Sequence, residues 1–580
     1  MYYRLKHELP HDATTCLGWL LDSRGIDDIE EYVNPSKQSE LDPHLLDNID
    51  AAADKIIEHM EEESNVLFVV DCDTDGFCSS AMLWLYLKHF FPRADLNFVC
   101  HEHKEHGLED IIDTIEDSDY DLVILPDSSS SDYDFHARLK EHGKDVVVID
   151  HHEAERYSEN AIVVNNQLSE RYPNKSLCGA GVVYKLLMVL DEKILRPDKA
   201  GYAEHFIDLC ALANIADCMS MKAPETRYYI VEGLKQINNE GFKALIDQQS
   251  FSLFKENDTL NYISIAFYIA PLINAVIRVG TMEEKEMLFE GFITPNKMVL
   301  TDKRGAAPGA QEKVCVEIAR RASNIRNRQN RIKERGTDVL DMRIHKYNLL
   351  DNKVLVIETF DEDEIPQELR GLICAQFVNK YHRPCAVVKR NSEGFLRGSI
   401  RGNDKFAAVP NFKKFLEDSG QVEYVQGHAN SAGMSIHEDN LPALLDYANS
   451  KIDDAGLENV YEVDYIFDWT ERYDSIILAV AGHPDLWGND IEEPTIVIEN
   501  IPFNGTDWQI MGTNKDSAKL YCNRTEFVRF KDVDFCQEVS ATRQGQITIY
   551  GELKKNTWRG RTTAQVLIKD YEIRDTTYEF

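Results

Sequence analysis

The sequence predicts an α/β protein of several modules: a mainly parallel sheet, a long connecting helix, a second α/β lobe and a strand-rich, barrel-like C-terminal part. Three observations predict it. At 580 residues the chain is too long for one hydrophobic core, so three or four domains are expected. Short apolar runs, VLFVVD (66–71), LNFVC (96–100), DLVILPD (121–127), DVVVID (145–150) and AIVVNN (161–166), alternate in several places with helix-like stretches such as SSAMLWLYLKHFF. From about residue 460 the pattern shifts to strand-like segments, among them TIVIEN, QITIYGEL and TAQVLIKDYEI.

Residues 1–60 read as helical, ending in AAADKIIEHMEEE, and are expected to pack on the domain that follows. Within 61–300, buried strands alternating with helices imply a mainly parallel sheet. Functional groups in such sheets gather at the carboxyl ends of the strands. Residues 179–250 read as mostly helical, and 301–345 as a basic connecting helix. The second lobe, 346–453, runs from VLVIE (354–358) through CAVVKR (385–390) and FLRGSIRG (395–402). Short strands with polar turns make 454–580 a small barrel or sandwich. No internal repeat or low-complexity tract interrupts this order.

Hydrophobic residues make up 43% and charged residues 28%, ordinary for a globular protein. No uninterrupted apolar run looks long enough to span a bilayer. The start, MYYRLKHELPHD, lacks the apolar core of a secretory signal, so a cytoplasmic location is expected. The twelve cysteines form no CxxC pair. Cys72, Cys78, Cys178, Cys210 and Cys218 lie in or beside apolar segments and are expected to be buried free thiols, against a zinc ribbon or disulfide framework. With 63 basic and 100 acidic residues, the net charge of −37 argues against indiscriminate nucleic-acid binding. One stretch runs the other way: 301–335 holds ten Lys/Arg and four acids, a local +6.

The chemistry concentrates at four positions. Asp71, Asp73 and Asp75 follow VLFVV; in an extended segment they share one face, and a turn at Gly76 presents them together. Asp127 follows DLVIL, Asp150-His151-His152 follows DVVVI, and Asp217 ends LCALANIAD. Converging carboxylates without neighbouring Lys or Arg repel one another unless a cation neutralises them. Oxygen ligands with one or two imidazoles favour Mn²⁺ or Mg²⁺ over zinc. Two such ions suit phosphoester hydrolysis, activating a water and stabilising the attacking and leaving oxygens.

DxDxDG, a strand-terminal Asp, DHH and a later IAD together resemble the four motifs of DHH phosphoesterases. CGAGVVYKLL (178–187), ALANIADCMSM (211–221) with Glu225-Thr-Arg227, and IAPLINAVIRVG (269–280) resemble the RecJ exonuclease branch in the right order. RGSIRG (397–402) and GHANSAGMSI (427–436) are similar to its GSxR and GGHxxAAG motifs, within a lobe of the DHHA1 type. WGNDIEEPTIVIEN (487–500) and ITIYGELKKNTWRGRTTAQVLIKD (547–570) resemble its oligonucleotide-binding barrel.

The resemblance implies a two-metal exonuclease of single-stranded DNA in repair or recombination, digesting 5′→3′ to mononucleotides, with Mn²⁺ preferred and Mg²⁺ an alternative. Asp73 holds one ion and Asp75 the other, Asp127 bridges them, and His151 and Asp217 complete the second. Asp71 and Asp150 are accessory carboxylates that orient ligands and hold a proton. His152 lies by the scissile phosphate, and His428, beside Gly427, contacts it too. Ser399, Arg401 and Arg278 match the grip on the 5′-phosphate, where an arginine fork suits a terminal anion.

The chain departs from the family at His101, where RecJ proteins carry an arginine for which Lys104 can substitute, at PDSSSS after the second acidic motif, and at Gln426. Trp508, Tyr521 and Trp558 are candidate base-stacking surfaces. The expected partners are single-stranded DNA and a single-strand-binding protein or helicase, with no membrane and a monomeric chain. Two rival readings are a DHH phosphodiesterase of cyclic dinucleotides or very short oligonucleotides, and a non-catalytic RecJ-like replication scaffold.

Overall fold

The computed structural model describes residues 1–102, 106–194, 201–254, 259–453, 455–457 and 460–576. Two compact units divide the chain: Leu5–Ser323 with Val463–Phe580, and Met1–Arg4 with Asn324–Glu462.

The larger unit is built on five parallel strands in the spatial order Asp95–Cys100, Asn65–Val70, Leu122–Pro126, Asp145–Asp150, Ile162–Asn165. The Leu122–Pro126 strand is buried throughout, and Asn65–Val70 and Asp145–Asp150 are buried at every residue but the first. Helices therefore cover both faces, as parallel pairing demands. After the first strand the chain steps to one side, then crosses to the other. The carboxyl ends of Asn65–Val70 and Leu122–Pro126 thus flank the switch point of the sheet, where such folds place their ligands.

One helical run meets the length and composition of a membrane span, Tyr262–Val279, with mean hydropathy 1.7. That corrects the expectation that no apolar run is long enough. In the fold it is a wall helix: Ile265, Ile269, Leu272, Ile273, Ala275, Val276 and Ile277 are buried, and a π-helical turn at Ile265–Ile269 interrupts it ahead of Pro271.

The strand-rich C-terminal region forms a seven-stranded mixed sheet, ordered Tyr465–Asp468, Thr495–Phe503, Gly545–Trp558, Arg561–Asp575, Thr525–Arg529, Ser517–Cys522, Gln509–Met511. It belongs to the same unit as the parallel sheet, and buried cations join the two to the N-terminal segment. Arg24 pairs with Asp464 at 3.0 Å. The Arg227 guanidinium, 1% exposed, stacks 3.7 Å from the Tyr32 ring centroid. It donates to the Tyr32 carbonyl and, at 3.2 Å, to that of Asp485. A second buried knot joins Lys185 to Glu225 at 2.6 Å. Glu225 also accepts from Tyr172, Asn174, Tyr229 and the Leu41 N–H. Residues 5–60 are thus held to both neighbours, not to the parallel sheet's domain alone, while Met1–Arg4 belong to the smaller unit.

The smaller unit carries a five-stranded sheet ordered Tyr424–His428, Ser431–His437, Phe395–Arg401, Cys385–Arg390, Leu355–Thr359, antiparallel except for the last pair. The basic helix runs Val314–Lys346 and begins later than the expected 301. Residues 298–313 instead make a small hairpin, Met298–Leu300 with Gln311–Lys313, because Gly305 and Gly309, both at positive φ, and Pro308 break a helix there. Several of its charges are spent internally: Arg320 and Arg321 on Asp302 and Glu317, Arg335 on Glu364. All twelve cysteines are free thiols, but Cys218 is exposed rather than buried, because it follows the end of its helix at φ 55°.

Replacing Arg227 by Met keeps bulk but removes two hydrogen bonds to buried carbonyls and the stacked cation. The expected loss is about 3 kcal/mol in urea unfolding followed by circular dichroism; an unchanged midpoint and slope would show that the clamp contributes nothing.

Candidate metal centre

The site grows from three neighbouring strand ends. Asp71 ends the Asn65–Val70 strand, Asp127 follows Leu122–Pro126, and Asp150 closes Asp145–Asp150. All three are fully buried. Asp127 takes φ 70°, a left-handed conformation that aspartate tolerates better than bulkier residues. Its N–H still bonds the Ile149 carbonyl at 2.7 Å, so the strained residue is held by the sheet.

The other candidate ligands come from helix ends. Asp73 caps the helix Thr74–Phe90, accepting from the Gly76 N–H at 3.0 Å. Asp75 therefore sits in the first helical turn, and the three acids converge through a strand-to-helix corner rather than one extended face. Only glycine permits that corner, because a Cβ on Gly76 would lie 2.5 Å from the Asp71 Cβ. Asp75 in turn rests on the start of helix Gly179–Ile194, accepting from the N–H groups of Gly179 (2.7 Å) and Ala180 (2.8 Å), where helix N-termini favour anions. A Cβ on Gly179 would come 2.4 Å from Asp127 Oδ1. Asp217 follows helix Ile207–Ala216. The loop after it is held from the C-terminal region: Asn489 donates to the Cys218 carbonyl (2.5 Å) and accepts from the Met221 N–H (3.1 Å).

His151 Nε2 stands 3.3 Å from Asp127 Oδ1, 3.5 Å from Asp217 Oδ2 and 3.7 Å from Asp75 Oδ2. Ligand atoms of Asp75, His151 and Asp217 lie within 4.8 Å of one another, as do those of Asp71, Asp73 and Asp127. Asp127 touches both sets. Among the described residues, neither Asp127 oxygen, nor Asp71 Oδ1, has a hydrogen-bond partner. Burial, then the charges of Asp75, Asp73, Asp71 and Asp150, push the Asp127 carboxyl well above the usual carboxylate range. Burial also raises Asp71 and Asp75, and burial followed by Asp75 and Asp73 pushes Asp217 up to about 8. Protein groups alone do not neutralise this set; a dication reverses the electrostatics. The oxygen-rich donors with one imidazole fit a pair of hard divalent ions.

Asp150 lies differently. Burial opposes its ionisation, but it accepts from His152 Nδ1 (2.8 Å) and from the N–H groups of Ser130 and His151, and these hold its carboxyl below the ordinary value. Burial likewise disfavours charge on His152, yet the Asp150 contact outweighs it and pushes that imidazole up to about 9. His152 is half exposed, at 53%.

Arg278 lines the cleft with Cys72, Asp73, Thr74, Asp75, Asp217 and Asn274. Ser399, Arg401, Gly427 and His428 lie in the smaller unit. There Arg401, Ser431 and His428 pair across three strands, and Ser399, Gly433 and Gln426 pair two residues along. Pleating puts both rows on one face, with His428 exposed and the Arg401 guanidinium against Gly371. Gly427 takes φ 124°. The structure does not bring His101 to the cleft surface: it is 2% exposed and its Nδ1 bonds Asp110 at 2.9 Å. Lys104 lies outside the described residues. Trp508 is a core residue, edge-on to Phe503 and Phe535, whereas Tyr521 and Trp558 are 54% and 70% exposed. Sequence reasoning missed His106, whose Nδ1 bonds Asp71 Oδ2 at 2.7 Å, and Asn274, which accepts from the Thr74 hydroxyl at 3.1 Å.

Comparison with known proteins agrees with this geometry. The model of the DHH family N-terminal domain matches residues 65–214, and that of the RecJ OB domain matches 482–570. YorK of the SPbeta prophage in Bacillus subtilis, named as a single-strand DNA-specific exonuclease, is 36% identical over 96% of each chain. The single-stranded-DNA-specific exonuclease RecJ of the same bacterium is 24% identical, covering 97% of this chain and 68% of its own. The crystal structure of Thermus thermophilus RecJ in complex with Mn²⁺ superposes with a TM-score of 0.72 at 19% identity, over 98% of this chain and 79% of that one, a likeness of fold. With a 36% identical relative matched along nearly its whole length, the chain belongs to the RecJ-like single-strand DNA-specific exonucleases of the DHH family.

Proposed function

We propose that the protein is a divalent-metal-dependent exonuclease that hydrolyses single-stranded DNA from the 5′ end, releasing mononucleotides, in DNA repair or recombination. The observation that carries the reading is the pair of carboxylate and imidazole sets joined through Asp127, whose own oxygens have no hydrogen-bond partner among the described residues.

Two divalent ions, Mn²⁺ by preference and Mg²⁺ otherwise, would activate a water and stabilise the charge developing on the attacking and leaving oxygens. Asp73 and Asp75 would each hold one ion, Asp127 would serve both, and His151 with Asp217 would complete the set for the second. Asp71 and Asp150 orient their neighbours. His152 stabilises charge on the scissile phosphate or protonates the leaving oxygen, held at Nδ1 by Asp150 with its ring half exposed. Arg278 meets the substrate from the cleft wall. On the smaller unit Ser399 and Arg401 bind the 5′-phosphate, and His428 contacts a phosphate from the same face. A pocket for the terminal phosphate imposes one cut per nucleotide and a 5′→3′ direction.

A C-terminal module of the RecJ OB type, with Tyr521 and Trp558 exposed for base stacking, favours a polymer over a cyclic dinucleotide. The full ligand set speaks against a scaffold without catalysis. The same reading includes a single-strand-binding protein or helicase as partner, a monomeric chain and a cytoplasmic location.

Digestion of single strands labelled at either end, with and without a 5′-phosphate, tests the reading in Mn²⁺ and Mg²⁺. Mononucleotides should appear first from the 5′ end; release from the 3′ end would reverse the polarity, and equal turnover of a dinucleotide would favour the small-substrate enzyme. Asp127→Ala should lower the rate about 1000-fold, and an inactive wild type would leave the scaffold. Arg401→Ala should slow digestion of 5′-phosphorylated ends about 10-fold while sparing bis(4-nitrophenyl) phosphate; equal losses on both would remove its role.

A further inference from the structure

One flank of the carboxylate cluster carries a different set of donors. Cys72 follows Asp71, and His106 comes from the segment after strand Asp95–Cys100. Cys72 Sγ lies 3.9 Å from His106 Nδ1 and 3.8 Å from Nε2, and Nδ1 lies 2.7 Å from Asp71 Oδ2. One ligand atom from each of the three residues falls within 4.8 Å of the other two. The carboxylate and the thiol are buried, whereas the imidazole is 46% exposed. The group therefore opens to water through His106, and Cys72 also lines the cleft. A tetrahedral ion with sulfur at about 2.3 Å and nitrogen or oxygen at about 2.0–2.1 Å holds its ligand atoms about 3.3–3.6 Å apart. The sulfur–nitrogen separation is already within a few tenths of an ångström of that. The half-exposed ring needs to retreat from Asp71 by only about 0.6 Å to admit an ion in place of the shared hydrogen. A thiolate and an imidazole select softer ions than Mn²⁺ or Mg²⁺, which prefer the oxygen-rich cluster alongside.

We propose that Asp71, Cys72 and His106 form a separate site for a thiophilic divalent ion such as Zn²⁺, with water completing the tetrahedron. As the sulfur–metal bond forms, the Cys72 thiol gives its proton to solvent. Asp71 belongs both to this set and to the set with Asp73 and Asp127. An ion held here thus draws on a carboxylate of the hard-ion cluster, so filling one position alters the other. The thiophilic site stands without the exonuclease reading; only its link to catalysis rests on that reading.

The test titrates Cd²⁺ into the full chain in excess Mn²⁺ and reads the thiolate-to-metal charge-transfer absorption. The wild type should saturate at one Cd²⁺–thiolate per chain, and added Zn²⁺ should erase the band. Cys72→Ser should abolish it, and His106→Ala should weaken Cd²⁺ binding at least about 10-fold. Cys218→Ser, which removes the exposed thiol, should keep it. His106 is half exposed, so its variant tests the site even where a change at buried Cys72 unfolds the chain. No band in the wild type, a band that survives Cys72→Ser or vanishes in Cys218→Ser, or unchanged Cd²⁺ affinity in His106→Ala would overturn the proposal. A chain that shows the band but cleaves no DNA keeps this site and sinks the exonuclease reading; an active nuclease without the band does the reverse.

Discussion

Burying several carboxylates within a few ångströms of one another is the constraint that the rest of the structure answers. Asp71, Asp75, Asp127 and Asp150 are all essentially withdrawn from water, and such a set is costly unless each charge is met. The fold meets most of them with fixed donors. Asp75 takes the first amides of helix Gly179–Ile194, Asp150 takes four backbone or ring N–H groups, and Asp71 takes His106. Asp127 receives no hydrogen bond among the described residues, with only the His151 ring at 3.3 Å. The carboxylate at the centre of the cluster is the one left to a cation.

That division of labour explains features remote from the cluster. Helix Gly179–Ile194 must stay in register for its first amides to reach Asp75, and the fully buried Lys185–Glu225 pair pins it less than two turns along. The Glu225 knot takes in Leu41, and Arg227, two residues on, reaches Tyr32 and Asp485. Asn489 then holds the loop after Asp217. The N-terminal segment and the C-terminal region are thus both fastened to the helices and the loop that border the candidate ligands. Pair energies of this kind buy register rather than raw stability.

The parallel sheet was legible because strands buried on both faces leave unbroken apolar runs, and each ligand-bearing acid stands directly behind one of those runs or a helix. What stayed hidden depends on contacts between distant segments. His106 sits in HEHKEHGLED, where attention falls on His101 and Lys104; nothing local says that the sixth residue of that stretch, not the first, meets Asp71. The acids of DCDTDG read as an extended face, whereas Asp73 caps a helix, because alternation in three short residues cannot tell a strand from a helix start. Trp508 reads as a stacking surface until its two edge-on aromatic neighbours place it in the core. In the smaller unit His428 is distant in sequence from Ser399 and Arg401, and only strand register sets all three on one face.

On the proposed reading, Asp127 joins two metal positions. Titration of the metal-free protein with Mn²⁺, read by calorimetry for stoichiometry and by electron paramagnetic resonance for spin coupling, tests it most directly. Two ions per chain with a coupled signal are expected, and Asp127→Asn should lose the coupling and at least one ion. A single uncoupled ion in the wild type, or a coupled pair that survives Asp127→Asn, would contradict it.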